Sequence, residues 1–258
     1  MNVDIFIPAR LDSKRLPKKH LEEINNIPLI EILVNRLKTV KKARKIIVCT
    51  TDKKSDDSLV EFLKDRRILF YRGNEKDILQ RFLDASKEFK TEIIIDIEGD
   101  KIYTEPSIVD EVITEMENNN YDFIIGSDSP TKFNPDSHFI HGVIPTGIRV
   151  SCLEKICNQD NKNKETGYKE IFIDDVNIKK KFFLLQSDIQ IPNQLRLTID
   201  YPEDLIFAKK LFGKLEKNFT YHDILKIVNN DPVLLKSIEN INNKWLENYK
   251  EEIKNLSK

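Results

Sequence analysis

Short apolar runs alternate with helix-patterned stretches through the first half of this 258-residue chain, and that alternation restricts the fold more than any other feature. The runs at 3–8 (VDIFIP), 45–50 (KIIVCT), 68–71 (ILFY), 92–97 (EIIIDI) and 122–127 (DFIIGS) are β-branched and apolar on both faces. Strands buried in a parallel sheet have this character. Between them, 27–40, 55–65, 76–89 and 105–118 repeat apolar residues at three- and four-residue spacing, as helices do. Pro28 and Pro106 stand where a first helical turn tolerates proline. The alternation predicts an α/β fold, a mostly parallel sheet flanked by helices with right-handed crossovers. Ligands of such sheets bind outside the carboxyl ends of the strands.

Three loops fall on that edge: IPARLDSKRLPKKHL (7–21) after the first run, EGD (98–100) after the fourth and GSDSP (126–130) after the fifth. Beyond 128 the alternation weakens. Residues 130–147 read as an irregular excursion, 148–151 and 181–191 as further strands, and 158–170 as a loop at its start. Helical patterns return at 202–217, 220–230 and about 236–255. The last places Ile238, Ile241, Trp245, Tyr249 and Ile253 on one face, to pack on the domain or on a partner subunit. No linker rich in Gly, Ser or Pro divides the chain, so 1–258 is expected to form one domain. Within it, about 128–195 would bind the acceptor or a second subunit, and 218–258 would form C-terminal helices.

The first loop holds Arg10, Lys14, Arg15, Lys18 and Lys19, yet the chain as a whole carries a net charge of only −1. That balance excludes a general nucleic-acid binder, which is basic over a whole face. The three cysteines, Cys49, Cys152 and Cys157, form no C-x-x-C pair, which predicts a reduced, cytoplasmic protein without a disulfide framework or zinc site. Cys49 sits in an apolar run and reads as a core residue. Asp4 and Arg10 interrupt the N-terminal apolar stretch, so no signal peptide is expected, and no run is long enough to span a membrane.

Phosphate loops usually depend on glycine so that backbone N–H groups can approach the ligand. This loop has no glycine between Pro8 and Leu21 and fits neither G-x-x-x-x-G-K-S/T nor G-x-G-x-x-G. It is either a solvated basic loop or a phosphate site that works through side chains. Asp100 follows an apolar strand and a glycine; Asp200 follows the alternation of Leu195, Leu197 and Ile199. Asp200, Glu203 or Asp204 could cap the helix that follows. Alternatively, Asp100 and Asp200 could converge on Mg²⁺, which takes carboxylates together with phosphate oxygens and water.

Several ordered segments together resemble one superfamily. IPARLDSKRLPKKHL resembles the N-terminal signature of cytidylyltransferases that make CMP-sugars of the Kdo type. YRGNEKDILQRFLDA (71–85), EGDKIYTEPSIVDEVI, RLTIDYPEDL and FTYHDILKIVNNDPVLLKSIENIN resemble segments of the spore-coat polysaccharide F-type cytidylyltransferases. The resemblance spans about 3–243. It implies a GT-A-like nucleotide-diphospho-sugar transferase fold and Mg²⁺-dependent transfer of CMP from CTP to a small acidic acceptor, with pyrophosphate released. It also implies a homodimer. By position, Arg10 and Lys19 would be catalytic. Pro8, Ala9, Arg10, Lys14, Arg15, Lys19, Arg72, Gly73, Asn74 and Asp77 would bind the nucleotide, and Asp100 and Asp200 the metal. Asp77 and Arg81 could equally be a structural ion pair at i, i+4.

The chain departs from the pattern at Asp12 and Lys18, where glycine is common, at Asn26, and at Lys101 and Ile102, where small residues and proline are usual. KETGYKE (164–170) replaces the R-E-H motif. Acceptor candidates are therefore drawn from the irregular region: His141, Arg149, Glu165 and Arg196, with His138 and Tyr168 beside them. Two other readings stand next to this one. A GT-A glycosyltransferase would want a D-x-D motif, where SDS (127–129) offers a single acid. A catalytically inactive nucleotide-binding homologue would keep the fold without the turnover.

Overall fold

A computed structural model of the protein describes residues 1–135, 137–159 and 167–256. The first half follows the expected alternation. Strand β1 (Val3–Pro8) is buried throughout except at Pro8. Its one acid, Asp4, is satisfied by Arg44 at 3.0 and 2.6 Å and by the Thr91 hydroxyl at 2.5 Å. A small hairpin, β2 (Glu23–Ile24) and β3 (Ile27–Pro28), turns through Asn25 and Asn26 at φ 52° and 62°. Asparagine is one of the few residues that adopts this left-handed conformation readily, so the departure at Asn26 costs little. The hairpin takes Ile27 and Pro28 out of the expected helix, and α1 runs over Leu29–Leu37. Then come β4 (Lys45–Thr51), α2 (Asp57–Asp65), β5 (Leu69–Gly73), α3 (Ile78–Phe89), β6 (Ile93–Asp96), α4 (Pro106–Asn118) and β7 (Phe123–Ser127).

The second half departs more. The stretch expected to be irregular holds α5 (His138–Val143) and the start of β8 (Thr146–Arg149); Val150 already opens α6 (Val150–Cys157). Next come α7 (Tyr168–Asp174) and β9 (Lys180–Leu184). The strand expected over 181–191 stops at Leu184. Beyond it Ser187 makes its own local turn, its hydroxyl bonding to the carbonyl (3.0 Å) and the amide (3.2 Å) of Ile189. Such bonds compete with a sheet ladder. The chain ends in α8 (Pro202–Phe212), α9 (Tyr221–Asn230), a 3₁₀ stretch over Pro232–Ile238 and α10 (Ile241–Leu256).

Among the described residues, seven strands form one sheet in the order β5-β4-β1-β6-β8-β7-β9. All pairings are parallel except those of β8, which runs against β6 and β7. Alternation along β1 sends Ile5 and Ile7 into the apolar cluster on one face and Phe6 into that on the other. Cys49 is fully buried with Phe6, and burial pushes its thiol well above the usual range, in keeping with a core role. Because β8 is reversed, its first residue, Thr146, lies at the same edge as the carboxyl ends of β1 and β6. No helix among the described residues is long and apolar enough to cross a membrane.

Candidate active site

That edge carries a cavity of about 290 Å³. The basic loop forms one side of it. Buried Asp56 fixes the loop: its carboxylate accepts from the Leu11 amide at 2.7 Å and from the Thr51 hydroxyl. The Lys18 amide donates back to the Leu11 carbonyl at 3.0 Å, and Lys18 itself takes φ 54°, a conformation in which glycine would be at ease. The loop thereby turns Arg10, Arg15 and Lys19 into the cavity.

Lys19 is the centre of the charge arrangement. Its ammonium bonds the Asp100 carboxylate and lies 3.4 Å from Asp200 Oδ1. Arg15 reaches the same Asp200 oxygen at 3.0 Å. Burial lowers the Lys19 pKa, but the two carboxylates more than reverse it and hold the ammonium charged. Burial likewise pushes Asp200 up, but Lys19, Arg15 and Arg196 together bring it down to about 2. Burial raises Asp100, and Lys19 only partly opposes it. Asp204 rather than Asp200 caps α8. Its Oδ2 accepts from the amides of Asp200 at 2.9 Å and Tyr201 at 3.0 Å, which leaves the Asp200 side chain for the cavity. The segment is pressed into place at Gly142, where a Cβ would run into the Leu197 carbonyl.

These contacts bear on whether a divalent cation suits the site. Asp100 and Asp200 converge on one cationic atom. Asp100 Oδ1 is buried and has no hydrogen-bond partner. Two converging carboxylates with an unused oxygen are the donor set a hard cation takes when phosphate and water complete its shell.

The other expected residues separate. Pro8 and Ala9 line the cavity. Lys14 is exposed and outside it. Asp12 pairs with Arg10 at 3.3 Å and Lys53 at 3.2 Å and does not join Asp100 and Asp200. Arg72 does not reach the cavity: it holds the Thr51 and Lys53 carbonyls at 2.9 and 2.8 Å and pairs with Asp57 at 2.8 Å. Gly73 lets β5 pass the Tyr71 ring, since a Cβ there would sit 2.6 Å from it. The Asn74 side chain accepts from the Lys76 and Asp77 amides at 2.9 and 3.0 Å. Asp77 caps α3 through the Gln80 amide at 2.9 Å. Of the motif at 71–85, Ile78 and Arg81 line the cavity, and Arg81 donates to the Asn74 carbonyl. The segment thus shapes a turn that presents Arg81.

Among the acceptor candidates, His141 lines the cavity, its Nε2 2.8 Å from the Asn134 carbonyl. Burial, helped by Lys101, pushes its ring down to about 4. Arg149 is elsewhere: it donates to the carbonyls of Tyr121 at 3.0 Å and Met116 at 2.7 Å, at the end of α4. Arg196 is buried behind the site, where it supports Asp200 at 3.3 Å and Asp204 at 3.0 Å. Leu195 and Leu197 join the core, while the Arg196 guanidinium meets Asp204, Asn242, Thr198 and Asp200. Glu165 lies outside the described residues.

Sequence reasoning missed a second charge cluster. Lys169 bonds Glu98 at 2.6 Å and lies 3.4 Å from Asp96, while Lys101 bonds Glu98 at 3.0 Å. The Tyr168 hydroxyl donates to Asp96 at 2.7 Å. Both lysines line the cavity. The signal was the departure at Lys101 itself, a charge where a small residue is usual. SDS at 127–129 forms a turn: Ser127 donates to the Lys132 carbonyl at 2.6 Å, and Asp128 accepts from Ser137 at 2.6 Å and Asn134 at 3.0 Å. A glycosyltransferase metal motif finds no support there.

The cytidylyltransferase family model matches residues 5–231. This chain belongs to the cytidylyltransferase family. An uncharacterized protein of Methanocaldococcus jannaschii is 33% identical over 220 residues, 85% of each chain. The spore coat polysaccharide biosynthesis protein SpsF of Bacillus subtilis is 26% identical over 90% of this chain and 96% of its own. Among solved structures, a cytidylyltransferase from Leptospira borgpetersenii superposes with a TM-score of 0.76 at 26% identity, covering 91% of this chain and 97% of that one. The cytidylyltransferase is therefore a CTP-dependent nucleotidyltransferase, and its sheet is that of the nucleotidyltransferases of this fold.

Proposed function

We propose that this cytidylyltransferase transfers CMP from CTP to a small acidic acceptor with the aid of Mg²⁺. The observation that carries the proposal is the Lys19 ammonium held between Asp100 and Asp200 beside Arg15. Cations and metal-competent carboxylates then meet at one point on the ligand edge of the sheet. In this reading Arg10, Arg15 and Lys19 bind the triphosphate and neutralise its charge, the role that dominates phosphoryl and nucleotidyl transfer. Asp100 and Asp200 would hold the metal, which supplies Lewis acidity and orients phosphate oxygens. An acceptor oxygen forms the new bond to the α-phosphorus, the bond to the β-phosphate breaks, and pyrophosphate leaves. A phosphate or phosphonate acceptor attacks through an oxygen that is already ionised and needs no strong base, whereas a sugar acid attacks through a hydroxyl whose proton passes to water as the bond to phosphorus forms, its carboxylate serving only to bind. Lys101 and Lys169, which also line the cavity, supply counter-charge for the acceptor's acidic group, with His141 in the same lining.

In this reading 1–258 acts as one nucleotidyltransferase domain whose acceptor side draws on 128–195, with Lys101 added to it. A product of this type suits surface glycan synthesis, in line with the name of the SpsF relative. Three free cysteines and a CTP substrate fit the cytoplasm, and the homodimer follows the family resemblance.

The test is pyrophosphate release with Mg²⁺, one nucleoside triphosphate at a time, against sugar acids, phosphonates and phosphorylated metabolites. Turnover with CTP and one acidic acceptor is expected. Release that depends on another triphosphate, or on a neutral acceptor, would overturn the proposal.

A further inference from the structure

The family match ends at residue 231, yet the cavity does not. Helix α10, which starts ten residues later, places Trp245 in its lining. The indole meets the His138 ring edge-on, centroids 4.4 Å apart at 88°. His138 is 4% exposed, lines the same cavity, and has an Nε2 with no hydrogen-bond partner. A buried polar atom left unpaired in a cavity wall is costly unless a ligand pairs it.

The rest of the helix is anchored beside the proposed metal carboxylate. Asn242 accepts from Arg196 at 3.2 Å, and Asn248 donates to the Tyr201 hydroxyl at 2.6 Å. Lys244 lies 4.8 Å above the Tyr201 ring, which Arg15 of the basic loop approaches at 5.4 Å. Helix α10 therefore grips the residues that carry and follow Asp200. Its polar composition suits this: it is tied down by hydrogen bonds and cation–π contacts, with Trp245 as its aromatic contribution to the cavity.

We propose that Trp245, together with His138, forms a specificity-determining wall of the acceptor compartment, supplied by a helix outside the family match. The proposal rests on the reading that the acceptor occupies the cavity beyond Asp200. Here the indole offers a flat apolar face to the acceptor, and His138 Nε2 offers it one hydrogen bond. Aromatic walls of this kind select by shape, and truncating one both weakens the preferred ligand and admits bulkier ones.

Trp245 is the only tryptophan in the chain, so tryptophan emission, excited where the seven tyrosines do not absorb, reports on this wall alone. The protein is titrated with CTP and Mg²⁺, then with each acidic acceptor of the panel in the presence of CMP. Emission should change on acceptor addition far more than on CTP. Trp245→Ala should raise the acceptor KM roughly tenfold and leave the Kd for CTP within about twofold, while Trp245→Phe retains most of the discrimination. Unchanged acceptor KM in Trp245→Ala, with silent emission in a wild-type protein that turns over, overturns this inference and spares the activity. An emission response to an acceptor without turnover upholds the wall and overturns the proposed reaction. Silence in both overturns both. The wild-type emission arm stands even if Trp245→Ala fails to fold.

Discussion

Arg196 gives the sharpest test of how the site is held. Its guanidinium is completely buried and donates to Asp204 at 3.0 Å, Asn242 at 3.2 Å, and Asp200 and Thr198 at 3.3 Å each. Arg196→Met keeps the apolar stem and removes the charge from between two buried carboxylates. Removing one partner of a buried pair costs about 3–5 kcal/mol, because the other charge stays buried and unpaired. Here the penalty is softened. Asp204 keeps two backbone amides, and Asp200 keeps Lys19 and Arg15. The lower end, about 3 kcal/mol, is therefore expected. At this chain length that corresponds to a fall of roughly 6–12 °C in Tm. Urea unfolding followed by circular dichroism measures it. The double variant Arg196→Met with Asp204→Asn removes the stranded charge as well and should lie closer to wild type than the sum of the singles. A loss below about 1 kcal/mol, the range of ordinary surface substitutions, would refute the reasoning, as would a double variant with purely additive effects.

Three further predictions follow from the same contacts. Lys19→Met should cut kcat by roughly 10²–10³ in the pyrophosphate assay, as loss of one positioned transition-state cation does; activity near wild type would remove Lys19 from the chemistry. Gly99→Ala would place a Cβ 2.8 Å from the His20 ring and 3.2 Å from the Pro8 carbonyl, at the root of the basic loop. About 1–3 kcal/mol of overpacking and a raised KM for CTP are expected, checked by thermal unfolding and steady-state kinetics. The third concerns pH. Burial, with Lys19, Arg196 and Lys101 as the next causes respectively, pushes His20 to about 3, His138 to about 2 and His141 to about 4. The unfolded chain, with rings near 6.5, then binds more protons, so each ring lowers stability as pH falls from about 6.5 toward its folded value, by roughly 1.4 kcal/mol per pH unit. The carboxyls of Asp96, Asp100 and Asp204 are raised and act the other way nearer their own pKa values. Comparing wild type with His141→Asn by urea unfolding between pH 7 and 5 isolates one ring, and an identical slope in the two would refute its neutral burial.

The parallel half of the sheet was legible because each of its strands is apolar on both faces and each connecting helix has a clear 3.6-residue period. β8 was less so: its first residues follow Pro145, and only pairing with β6 and β7 makes Thr146–Arg149 a strand. The extent of β9 was misjudged because Leu185, Ile189 and Ile191 keep a strand's alternation while Ser187 turns the backbone. For the site, position after a strand pointed to Arg10, Lys19 and Asp100 at one edge, while Asp200 follows the alternating stretch 195–199, which is buried but forms no strand. Position did not separate residues that touch the cavity from those that shape it. Arg72, Asn74 and Asp77 belong to a ligand-like motif, but their side chains are occupied by backbone amides, carbonyls and Asp57. Lys101, Lys169 and Trp245 stand far apart in sequence, and only the fold brings them together.

The loop without glycine gets its shape differently from a glycine-rich phosphate loop. A glycine-rich phosphate loop brings backbone amides to the ligand, and its shape follows from conformational freedom. Here the shape is imposed from outside. Asp56 pins Leu11, Lys18 bears the left-handed turn, and Gly99, on the neighbouring strand end, leaves room for His20. With the backbone so fixed, the side chains of Arg10, Arg15 and Lys19 line the cavity, and on the proposed reading they carry the recognition. Those cations are paired within the structure: Lys19 with Asp100 and Asp200, Arg15 with Asp200, and Arg10 with Asp12. On the proposed reading, a triphosphate would take the place of Asp100 and Asp200 as the partner of Lys19 and Arg15. Asp12, paired with Arg10 and Lys53, balances the loop's charge away from the two carboxylates, so on the proposed reading it takes no part in holding the metal.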